Sequence, residues 1–141
     1  MTNQTSNANQ TSAGPKNNSL QLQKIVAFVA TRNSDRAKAF YRDILDLELV
    51  SEDGFALVFN ISGTTLRIAT VQELTPAPYT VLGWQVSNIV SAVQSLQEKG
   101  VSFQRYPGMK QDEFGIWNSP SGAKVAWFKD PDGNTLSVTE F

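Results

Sequence analysis

The chain of 141 residues contains no cysteine and no histidine. Without cysteine there can be no disulfide, no thiolate nucleophile and no thiolate-held metal. Without histidine the commonest metal ligand and the usual general base at neutral pH are missing, and a Ser-His-Asp triad is excluded. Excess charge is also lacking. Twelve basic residues against 13 acidic ones leave a net charge of −1, so no basic field recommends nucleic acid or an anionic membrane as a partner. No stretch of about 18 apolar residues exists to span a bilayer, and no Gly-rich phosphate loop appears.

What is present suits one globular domain: 40 % hydrophobic and 18 % charged residues in a chain too short for two ordinary domains. Residues 1–21 are rich in Asn, Gln, Ser and Thr and hold no apolar core of a signal peptide. They cannot bury enough surface to offset their ordering entropy, so a disordered tail is expected before a domain over 22–141, in a cytoplasmic protein.

From Leu22 onward the pattern changes. KIVAFVAT (24–31) reads as a buried strand, and Asn33 or Ser34 can cap the helix after it. In that helix Ala37, Phe40, Tyr41, Ile44 and Leu45 form one apolar stripe. LELVSE (47–52), FALVFNI (55–61) and TTLRIAT (64–70) read as strands, the last two joined by a Ser62-Gly63 turn. A linker over 73–78 contains Pro76 and Pro78. The order then recurs: strand YTVLGWQV (79–86), cap Asn88, helix 89–99 closed by Gly100, strand VSFQRY (101–106), a long loop, and a hairpin of 122–130 with 134–141 around Pro131-Asp132-Gly133. One offset pairs Asn33 with Asn88, Val26 with Val81 and Ala37 with Ala92. A longer one lays SGTTLRIAT (62–70) over DGNTLSVTE (132–140), the loop at 106–121 absorbing the difference. Each unit, 22–72 and 79–141, is strand, helix, then three strands, and would leave a sheet face uncovered alone, so the two must pair.

A doubled βαβββ unit with AFYRDIL in its first helix and DPDGNTLSV near its end resembles the vicinal oxygen chelate superfamily, the glyoxalase, bleomycin-resistance and extradiol-dioxygenase group. The resemblance covers residues 22–141. It implies an α+β fold, two βαβββ repeats forming curved mixed sheets around a central cavity that takes a ligand, and a homodimer. In metal-dependent members each unit gives one ligand from its first strand, usually His seven residues before the helix-starting Asp or Asn, and one from its last, usually Glu after the Leu or Ile of DGNxL. Here those places hold Val26, Arg67, Val81 and Ser137. Two valines offer no lone pair, and arginine adds a fixed positive charge. The inherited metal site is therefore expected to be absent, with no cofactor in its stead.

If those four positions face the cavity, strand alternation places Phe28, Ala30, Ala69, Gly83 and Gln85 there too. A hairpin closed at 130–134 pairs Trp127 with Ser137 and, in the first half, Leu57 with Arg67. Trp127, Val125, Leu57 and Phe59 would then line the cavity, while Leu136, Val138, Phe128 and Trp84 face the helices. Arg67 reads either as a fork for a carboxylate or phosphate or as the partner of an internal acid such as Glu48, Glu52 or Asp112. Phe28, Phe59 and Trp127 could stack on a flat ligand or simply be core. The loop YPGMKQDEFGIWNSPSG (106–122) carries Trp117 and two weak candidates for a general base, Asp112 and Glu113. Glu140, out of phase with Ser137, should face away.

The first expectation is a metal-free protein binding a small molecule, an antibiotic or a metabolite, through Arg67, Phe28, Phe59, Gln85, Trp117, Trp127 and Ser137, with neither nucleic acid nor membrane as a partner. A second is a lyase, isomerase or dioxygenase-like enzyme with a non-standard acid/base or carboxylate metal site. A third is a structural subunit whose cavity is filled by its own side chains.

Overall fold

The computed structural model describes residues 16–141. Most of the expected polar tail therefore lies outside the described residues; among those described, a 3-10 turn, Leu20–Leu22, is capped by the Ser19 hydroxyl.

The fold is α+β, with two four-stranded mixed sheets. In the first, β1 (Val26–Thr31), β2 (Glu48–Glu52), β3 (Ala56–Ile61) and β4 (Thr64–Thr70) lie in the order β1-β4-β3-β2. In the second, β5 (Thr80–Gln85), β6 (Trp117–Asn118), β7 (Lys124–Lys129) and β8 (Thr135–Glu140) lie in the order β5-β8-β7-β6. Each outer first strand runs parallel to the last strand of its unit, and the other pairs are antiparallel. The sheets are not closed.

The helices start as the sequence indicates. Asn33 accepts the Arg36 N–H at the head of α1 (Ser34–Lys38), and Asn88 accepts the Ser91 N–H at the head of α2 (Ile89–Glu98), both at 3.0 Å. Gly100, at φ +95°, ends α2, and Val101 N–H returns to the Leu96 carbonyl, a Schellman closure. One core joins the halves: Val29, Tyr41, Leu66 and Ile68 from the first, Ile89, Val93, Phe128 and Leu136 from the second.

Three expectations change. The first helix is not α throughout, because Ala39–Ile44 is a π turn in which Leu45 N–H reaches the Phe40 carbonyl. The segment 101–106 is not a ladder strand and keeps only a bridge from Phe103 to Phe128. Its backbone is served by one side chain instead: Gln111 accepts the Tyr106 N–H and donates to the Gln104 carbonyl, doing a strand's work.

The third is a register. Trp127 does pair with Ser137, but Arg67 pairs with Val58, and Leu57 with Ile68. The cause is the turn. Ser62 and Gly63, at φ 49° and 88°, make a two-residue hairpin with both φ values positive, closing on Ile61 and Thr64. The second hairpin closes on Lys129 and Thr135 around five residues. The unequal turns move β3 by one residue relative to β7, which reverses the facing of every β3 side chain. Leu57 and Phe59 are thus fully buried core residues on the helix side, Phe59 against Tyr41 with ring centroids 6.2 Å apart.

Candidate functional site

Alternation gives each sheet a core face and an open face. In the first sheet Leu66 and Ile68 turn to the core, so Thr65, Arg67 and Ala69 turn outward, with Val26, Phe28 and Ala30 beside them on β1. Val58 joins them from β3 as the register partner of Arg67. Phe28 is 63 % exposed. In the second sheet Leu136, Val138 and Phe128 are core, and Gly83, Trp127 and Ser137 lie abreast on the open face. Gln85 ends β5 opposite Thr139, near the chain's last residue, Phe141.

The residues at the four inherited metal positions do not fit a metal. Val26 and Val81 bring hydrocarbon and Arg67 a cation. Ser137 is 5 % exposed between Gly83 and Trp127. A Cβ on residue 83 would stand 2.9 Å from the Ser137 Oγ, so a larger residue there would displace that hydroxyl. Among the described residues no three Asp, Glu, His or Cys side chains gather into a cation site.

Arg67 is half-buried. Among the described residues the ion pairs are Lys38–Glu52, Arg42–Asp43, Lys99–Asp46 and Lys124–Glu140, and Arg67 belongs to none. Its expected acidic partners are engaged elsewhere: Glu48 with Asn60, Glu52 with Lys38, and Asp112 with the Phe114 and Ile116 N–H groups. An acid that does feel its charge is Asp53. Its carboxyl is held below the usual range, first by the Phe55 and Ala56 N–H groups and to a lesser degree by Arg67.

Over the second sheet's open face lies an aromatic hollow of about 410 Å³, bounded by Tyr79, Tyr106, Met109 and Trp127, with Thr80 and Thr135 beneath. Tyr106 meets Trp127 edge-on at 5.6 Å between centroids, and Trp117 tilts against the other side of Trp127 at 6.0 Å. Sequence reasoning found the two tryptophans but missed Tyr79, Tyr106 and Met109. The signal available was the linker Pro76–Pro78, which returns the chain beside the loop at 106–109. None of the hollows described here takes Phe28 or Arg67 into its wall. Asp112 and Glu113 lie exposed in the loop, their carbonyls gripped by the Arg105 guanidinium. Glu140 faces the helix and accepts the Ile89 N–H at the head of α2.

The signature residues have another task. Asp130, 6 % exposed, accepts four hydrogen bonds: from the Asp132 and Asn134 N–H groups on Oδ1, and from the Tyr41 hydroxyl (2.6 Å) and the Asn134 amide on Oδ2. The Asn134 amide also donates to the Ala30 carbonyl, and Asp132 accepts from the Thr31 hydroxyl and the Arg32 N–H. Burial, and then the Asp130 charge, push the Tyr41 phenol far above its usual range. AFYRDIL and DPDGN thus form the joint between the halves.

The family model described as Glyoxalase/Bleomycin resistance protein/Dioxygenase superfamily matches residues 21–138. No curated protein matches. Among solved structures, a lactoylglutathione lyase from Agrobacterium tumefaciens is similar at 18 % identity and a TM-score of 0.66, over 84 % of this chain and 93 % of that one. A superfamily member from Sphaerobacter thermophilus DSM 20745 aligns at 24 % identity and 0.63, over 84 % and 97 %. A glyoxalase family protein from Enterococcus faecalis aligns at 22 % and 0.61, over 83 % and 94 %. At these identities the likeness is one of fold.

Proposed function

Because the chain belongs to the Glyoxalase/Bleomycin resistance protein/Dioxygenase superfamily, whose fold serves many chemistries, we propose that it binds a small organic molecule, an antibiotic or a metabolite, without a metal. The observation that carries this reading is the aromatic hollow on Trp127, whose ring planes suit a flat, conjugated ligand. Arg67 supports a ligand with an anionic group, since its guanidinium has no ion-pair partner among the described residues. In this reading the protein is a homodimer, pairing the Arg67 face of one copy with the Trp127 face of the other. Exposed Val26, Phe28 and Val81 are apolar surface that such pairing would cover. The domain comprises the two βαβββ units, 22–72 and 79–141, the protein resides in the cytoplasm, and its partners include neither nucleic acid nor membrane. A lyase or isomerase reading has less support, because the Asp112 carboxylate is spent on backbone N–H groups.

The test is a tryptophan-fluorescence titration with planar aromatic carboxylates such as 1-naphthoate. Saturable quenching without turnover is expected, weakened about tenfold by Trp127→Ala and by Arg67→Ala. Quenching that neither substitution alters would overturn the reading.

A further inference from the structure

We propose a second ligand site on the opposite side of the second sheet, where α2 and the π turn meet, taking a small amphiphile with an apolar body and one carboxylate. This site is independent of the aromatic hollow: Trp84, Phe128 and Val138 face it, and these are the core-side positions that alternate with Gly83, Trp127 and Ser137.

Three separate features converge there. The first is a hollow of about 290 Å³ between the two halves, its wall mainly hydrocarbon from Leu45, Trp84, Leu96 and Phe128. Apolar walls open to water leave hydrocarbon hydrated, and an apolar guest removes that surface from water. The second is the backbone that borders it. The π turn Ala39–Ile44 delivers Ile44 and Leu45 to the wall, and the next residue, Asp46, sits in the left-handed region at φ 62°. Such departures from regular helix hold a space open at a cost and gather at binding sites. The third is charge at the rim. Lys99 lines the hollow and reaches across to Asp46 of the other half, Nζ to Oδ2 at 3.0 Å. The Asp46 side chain is 79 % exposed, so water competes for this pair and it is weak. A guest carboxylate can take the place of Asp46 on the ammonium while its tail enters the hollow.

The experiment uses the full chain carrying Trp117→Phe and Trp127→Phe, which leaves Trp84 as sole reporter and silences the tryptophans of the aromatic hollow. Octanoate is the probe and octan-1-ol its uncharged match. Octanoate should change Trp84 emission saturably and bind about two- to fivefold more tightly than octan-1-ol, the range an exposed charge pair provides. Lys99→Gln should erase that preference. Ala92→Phe, which fills the hollow from α2, should abolish the response, with circular dichroism confirming its fold and Ser95→Leu serving as a second filler. No saturable response in the reporter chain, or an undiminished one in the folded fillers, overturns the site. Equal affinity for the acid and the alcohol overturns the carboxylate assignment. Loss of naphthoate binding in the reporter chain bears on the aromatic hollow and its two tryptophans, not on this site.

Discussion

The two halves share a plan and part company in their closing turns. The first sheet ends in Ser62-Gly63, two residues at the surface. The second ends in a five-residue turn whose Asp130 and Asn134 are buried and reach back to Tyr41 and Ala30. The two units thus share their helix caps and sheet order, while one turn joins the halves and the other is a surface bend. The same difference fixes facing: the short turn sends Phe59 into the core, whereas the long one leaves Trp127 on the open face.

The sharpest way to break this asymmetry is Asp130→Ala. It strips acceptors from the buried Tyr41 hydroxyl and Asn134 amide, and should cost about 3–5 kcal/mol in urea unfolding. The counterpart in the first turn, Gly63→Ala at φ 88°, should cost only about 1 kcal/mol. Near-equal losses would refute the division of labour.

Tyr41→Phe, next in size, removes a single hydroxyl from the joint and should cost about 1–2 kcal/mol. It also alters the alkaline limb. The phenol's pKa is raised in the folded protein, so only the unfolded chain ionises as pH climbs past about 10, and stability falls from there. The Phe variant should show a shallower fall in denaturation midpoint above that pH.

Where the halves are alike, the losses should match. Asn33→Ala and Asn88→Ala each remove one cap and should each cost about 1 kcal/mol in thermal or urea melts. The smallest effect belongs to Asp53, in the bend before β3. Its pKa is depressed, so its contribution is present above the unfolded value near 4 and fades as pH falls through the folded one. Asp53→Asn should lower the melting midpoint slightly at neutral pH, where that contribution is present, and flatten the profile below about pH 4, where the two proteins converge.

Features set by neighbours in the chain could be read from the sequence. Asn33, Asn88 and Gly100 act within one helical turn, and the repeat identified the strands other than β6, which lies at Trp117–Asn118 rather than over 101–106, and the Trp127–Ser137 pairing. The first register could not be carried across the repeat, because it depends on a turn length that differs between halves. The π turn was hidden, since Ala37, Phe40, Tyr41, Ile44 and Leu45 draw the same stripe as an α-helix would. Gln111 standing in for a strand partner, and Tyr79 closing over Trp127, depend on segments brought together only by folding. The open-face positions of Arg67, Trp127 and Ser137 followed from alternation and the hairpin register once the family resemblance had put residues 67 and 137 on that face.

The joint also constrains how the chain is made. Tyr41 and Asp130 are 89 residues apart, and Ala30 and Asn134 are 104 apart. At ordinary translation speeds the first half waits on the order of ten seconds for its partner to be synthesised. During that interval its tyrosine hydroxyl, and the apolar flank around it, lack their counterpart. Until Asp130 and Asn134 have been made, the first half carries apolar surface and a tyrosine hydroxyl that only the second half can cover, so native topology waits on contacts of high sequence separation.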